Sequence, residues 1–111
     1  IMKQYVIDEL RLKDYEKVKG YLDMNLGSSE MGGIYWFPID ETILTDVQKA
    51  HTECQPFYFA IELGEDRVTC EILVRTKNRV RCNCIAYATE TQFNWFIRKI
   101  DTMLDELEIK I

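Results

Sequence analysis

The sequence predicts an α+β fold of two layers, in the order β-α-β-α-β-β-β-α, with helices packed on one face of an antiparallel three-stranded meander. Three observations carry this expectation. Residues 57–63, 68–74 and 80–88 alternate apolar and polar side chains with period two, the mark of half-buried strands. Residues 93–107 instead repeat apolar side chains at helical spacing. Short turn-forming stretches, Gly64-Glu65-Asp66 and Lys77-Asn78-Arg79, separate the alternating runs, which suits consecutive antiparallel strands.

The elements follow in order. Residues 3–8 read as a short strand rich in Tyr, Val and Ile. Tyr15, Val18, Tyr21 and Leu22 are spaced for a helix over 13–25, with Gly27 as its stop. After the glycine-serine loop at 27–33 comes an aromatic strand, Ile34-Tyr35-Trp36-Phe37, ended by Pro38. Asp40 is placed to cap a second helix whose apolar face is Ile43, Val47, Ala50, His51 and Cys54. Pro56 ends that helix and opens the meander.

In the meander, Ile61 pairs with Cys70 and Phe59 with Ile72 when the apolar faces are aligned. A three-residue loop at 77–79 then pairs Val74 with Cys82 and Ile72 with Cys84, putting Val80, Cys82, Cys84, Ala86 and Ala88 on one arm. Thr89 and Gln92 form a capping box for the last helix, with the stripe Phe93, Phe96, Ile97, Ile100, Met103, Leu104 and Leu107. The alternating tail 108–111 is read as a short terminal strand.

A chain of 111 residues is expected to be one domain, residues 1–111, and long enough to bury a core without staples. The net charge of −5 disfavours nucleic acid and anionic membrane as partners. No targeting signal or membrane-spanning run is visible, so a cytoplasmic protein with reduced cysteines is expected.

Three constellations invite a functional reading. His51, Cys54, Cys82 and Cys84 together supply the soft donors of a zinc site. Spacing of three puts His51 beside Cys54 on a helix. Cys82 and Cys84, however, sit two residues apart in an expected strand, about 6.7 Å between Cα atoms and with parallel side chains. Small buried hydrophobes are therefore the favoured reading for the cysteines, with a metal or thiol site as the alternative.

Arg75, Lys77, Arg79 and Arg81 form a basic hairpin tip, with Arg75 facing Arg81 across the ladder; a solvated turn is the favoured reading, and binding an acidic protein surface or a phosphate is the alternative. Tyr35, Trp36 and Phe37 cannot all face one side of a strand, and Trp95 falls off the stripe of the last helix. Trp36 and Trp95 are therefore candidate interface aromatics, with burial under another segment the equal alternative. No P-loop, dinucleotide fingerprint or nucleophile elbow is present, and no catalytic residue is assigned.

The runs Gln55-Pro56-Phe57-Tyr58-Phe59-Ala60-Ile61-Glu62-Leu63 and Arg79-Val80-Arg81-Cys82-Asn83-Cys84-Ile85-Ala86-Tyr87-Ala88-Thr89 resemble those of a small bacterial protein family of unknown function. The resemblance covers most of the chain and implies a bacterial cytoplasmic protein. It implies no activity, cofactor or site residue. The function expected from the sequence is a non-catalytic interaction module that docks a partner protein or a second copy. The alternative is a small metal- or thiol-dependent protein built on the His/Cys cluster.

Overall fold

The first strand, β1 (Gln4–Ile7), runs into α1 (Leu12–Leu26), and a carboxylate starts that helix. Asp14 accepts the Arg11 backbone N–H at 3.2 Å and the Arg11 guanidinium at 3.1 Å. Hydrogen bonding from that side chain holds the Asp14 carboxyl below the usual carboxylate range. Val18 and Leu22 are the fully buried apolar positions of α1, and Gly27, at φ 82°, ends it. The computed structural model describes residues 3–29, 32–79 and 81–110.

The aromatic strand is β2 (Ile34–Pro38). Its alternation sends Tyr35 and Phe37 to the helical face, while Trp36 lies edge-on to Tyr58 on the opposite face. Gly33 enters this strand at φ 92°, so close to the next strand that a Cβ there would lie 2.6 Å from the Leu63 carbonyl oxygen.

The single helix expected over 40–54 is three pieces. Asp40 caps a 3₁₀ turn (Glu41–Ile43), Thr45 caps α2 (Asp46–Ala50), and a second 3₁₀ turn follows (Thr52–Cys54). The break comes at Leu44, whose extended backbone lets Thr45 and Gln48 form their own capping box. A threonine that can bond the third backbone N–H beyond it starts a helix more readily than it continues one. The buried face is consequently Leu44, Gln48 and Cys54, while Val47 is exposed.

Strands β3 (Phe57–Leu63), β4 (Val68–Glu71) and β5 (Leu73–Thr76) follow, then β6 (Ala86–Tyr87). The expected Ile61–Cys70 pair is present. Beyond it the register shifts, because Tyr58 faces Arg75 rather than a residue two positions earlier. The β4–β5 side therefore carries two extra residues, a bulge at Ile72. Ile72 there donates its N–H to Lys3 and accepts from Ala88, joining the sheet to both terminal strands.

β6 corrects the hairpin expectation. Val74 pairs with Ala86 and Leu73 with Tyr87, so Cys82 and Cys84 face no partner in β5, and residues 77–79 and 81–85 lie outside any strand. Asn78 explains why the chain does not turn back tightly. Its carboxamide donates to the Glu53 and Gln55 carbonyls at 3.0 and 3.3 Å, tying the loop to the segment before β3. Val80 lies outside the described residues.

Among the described residues the six strands are antiparallel: β2 and β4–β5 flank β3, and β1 and β6 pair with β4 and β5. Helix α3 (Glu90–Glu106) covers the same face as α1. Phe96 stacks on Phe59 with centroids 4.1 Å apart, and Ile100, Met103 and Leu104 are buried around it. In place of the terminal strand expected at 108–111, the chain folds back on the end of α3. There the Ile109 N–H donates to Leu104 at 2.9 Å. Ile111 lies outside the described residues. Among the described residues no helix is long and apolar enough to cross a membrane.

Candidate metal centre

Two short irregular segments build this site. The first is the 3₁₀ turn after α2, with the Cys54 N–H donating to the His51 carbonyl at 3.0 Å. Side chains three apart eclipse one another in a 3₁₀ helix, so His51 and Cys54 project together. The second is the loop before β6. Here Ile85 donates to the Cys82 carbonyl at 3.0 Å, closing a turn through Asn83 and Cys84. A turn converges side chains two residues apart, whereas a strand keeps them parallel. The geometric objection to Cys82 and Cys84 as joint ligands falls with the strand assignment.

The four donor atoms of His51, Cys54, Cys82 and Cys84 all lie within 4.8 Å of one another. His51 Nδ1 is 3.1 Å from Cys82 Sγ. Around a tetrahedral zinc ion, sulfur and nitrogen ligands stand roughly 3.5–3.8 Å apart, given Zn–S near 2.3 Å and Zn–N near 2.0 Å. The set is therefore gathered at close to ligating distance. All four cysteines of the chain are free thiols.

The electrostatics of the turn are uneven. The backbone N–H of Cys84 hydrogen-bonds the Cys82 sulfur and, with the neighbouring thiols and His51, draws the Cys82 thiol down to about 7. Burial pushes the Cys84 thiol the other way, to about 12. Cys70, buried in β4 away from this cluster, is likewise raised to about 12 by desolvation.

A buried polar chain backs the site. The Gln48 carboxamide donates to the Cys84 carbonyl at 3.2 Å, and Gln92 donates to Gln48 Oε1 at 2.9 Å and to the Ile43 carbonyl at 3.1 Å. Both glutamines are at most 2% exposed. Thr76 Oγ1 donates to the Cys54 carbonyl and accepts from Asn78 N–H at 3.2 Å, steadying the other donor segment. Sequence reasoning missed Gln48, although Thr45-Asp46-Val47-Gln48 repeats the Thr-x-x-Gln pattern of residues 89–92.

Arg75 ion-pairs with Glu71, and Lys77 lies over the rings of Tyr58 and Trp36, 4.9 and 5.5 Å from their centroids. Arg79 and Arg81 are exposed in the loop, so the opposed Arg75–Arg81 pair does not form. Trp95 is half-buried, edge-on to Phe37 at 5.7 Å with Lys99 over its ring. Trp36, Tyr58 and Lys77 border an open cleft of about 270 Å³.

No family model, curated protein or solved structure matches this chain.

Proposed function

We propose that the protein is a small zinc-binding domain in which His51, Cys54, Cys82 and Cys84 form a closed Cys₃His site. The observation that carries this reading is the gathering of four soft donors, from segments nearly thirty residues apart in sequence, within 4.8 Å of one another. Packing a core does not require histidine and cysteine side chains to meet head to head. Coordination does.

The donor set selects the metal. Three thiolates and one imidazole in a compact cluster suit Zn²⁺, whereas Mg²⁺ and Ca²⁺ prefer oxygen. Four protein ligands fill a tetrahedral shell and leave no position for water, so the role is structural. The metal pins the turn after α2 to the loop before β6, two segments that lack a sheet ladder between them. The domain thus acts as a zinc-stapled scaffold for non-catalytic interaction, with a protein partner or a second copy as its target.

The test is elemental analysis of protein purified without chelator, followed by thiol labelling with and without metal. The expected result is one zinc per chain, with Cys54, Cys82 and Cys84 protected from alkylation until a chelator is added. Metal-free protein that refuses added Zn²⁺ refutes the reading.

A further inference from the structure

We propose that Gln48 is a positioning residue of the metal centre: its carboxamide fixes the Cys82–Cys84 turn at ligating distance from His51 and Cys54, and Gln92 fixes the carboxamide. This rests on the zinc reading above and deepens it.

A capping box uses only the side-chain oxygen of its fourth residue, which is why Glu and Gln serve equally there. The boxes begun by Thr45 and Thr89 both carry Gln. The oxygen of Gln48 accepts the Thr45 N–H at 3.0 Å, and that of Gln92 accepts the Thr89 N–H at 3.0 Å. Each amide NH₂, the group Glu lacks, is directed to a tertiary acceptor instead.

For Gln48 that acceptor is the carbonyl of Cys84, a ligand residue 36 positions away. The amide is locked against flipping. Its oxygen already takes two donors, Thr45 N–H and Gln92 Nε2, and a flip would turn its NH₂ toward both. The nitrogen is thereby held toward Cys84. Because the glutamines are buried, loss of one bond leaves polar groups without water to replace it. The chain Gln92–Gln48–Cys84 thus links the start of α3 to the metal turn. Groups that orient ligands in this way commonly change metal affinity about 10–100-fold when altered.

The experiment compares wild type, Gln48→Glu, Gln48→Met and Thr45→Ala in the full chain. Zn²⁺ affinity is read by chelator competition, and ligand geometry by the visible spectrum of the Co²⁺-substituted protein. Gln48→Glu keeps the cap oxygen and removes the donor to Cys84. Gln48→Met removes both without introducing charge. Thr45→Ala weakens the cap and leaves the bond to Cys84.

The expected result is a loss of zinc affinity of about 10–100-fold in both Gln48 variants, with an altered Co²⁺ spectrum. Thr45→Ala should melt earlier yet bind zinc as wild type does. If a variant folds only with metal, Zn²⁺ titration followed by circular dichroism reads the affinity through folding itself. Wild-type affinity and an unchanged spectrum in both Gln48 variants overturn the proposal, as does an equal loss in Thr45→Ala. A wild-type protein that binds no zinc overturns the underlying site, and that arm is read first.

Discussion

Removing zinc should lower the melting temperature by an amount set by the free zinc concentration. A ligand that binds only the folded state stabilises it by RT ln(1 + [L]/Kd), so each tenfold rise in free zinc above Kd adds about 1.4 kcal/mol. Unfolding entropy near 60 °C is about 2.1 cal/mol/K per residue, which for 111 residues gives about 0.23 kcal/mol/K. The melting temperature should then climb by about 6 °C per decade of free zinc, or about 12 °C at a hundredfold excess over Kd. Differential scanning fluorimetry in zinc buffers spanning several decades measures the slope directly. Cys84→Ser, which removes one of the four proposed donors, should flatten it. A wild-type melting temperature indifferent to zinc over three decades, or an unchanged slope in Cys84→Ser, would refute a site assembled from these residues.

Three further outcomes test the fold. Cys70 is buried beside β3 with its thiol raised to about 12 from 9.0, so its stabilising contribution is complete below about pH 9 and fades as pH rises toward 12. Denaturant titrations from pH 8 to 11 should show Cys70→Ala losing less stability with pH than wild type, and parallel curves would count against that burial. Gly33→Ala should cost at least about 2 kcal/mol, since a methyl group there meets the Leu63 backbone and left-handed φ adds strain. An unchanged urea midpoint would contradict the close approach of β2 to β3. Ile100→Ala, at 1% exposure in α3, should cost about 2–5 kcal/mol by the same measurement, and a change within error would mean a different face of α3 meets the sheet.

Much of the frame was legible in the residues because local periodicity reports burial. The spacing of Val18 and Leu22 located α1, with Gly27 its stop, and Thr89 with Gln92 marked the start of α3. Period-two alternation set the Ile61–Cys70 pair, since a slip by one residue would turn a whole apolar face to water. The hairpin register of the Cys82–Cys84 arm, and with it the opposed Arg75–Arg81 pair, misled for one physical reason. Side chains spaced by two in a turn reproduce the alternation of a strand, and nothing local separates the cases.

By itself the sequence determined the α+β class, the antiparallel core and the four soft donors, because each follows from side-chain type and spacing. Tertiary structure decided where those donors meet. β6 pairs with β5 four residues off the simple hairpin register, and Asn78 draws the intervening loop onto residues 53–55. Gln48 reaches across to hold the Cys84 turn. These are long-range hydrogen bonds and a register shift. They join residues 23 to 36 positions apart, and no sequence window records their geometry.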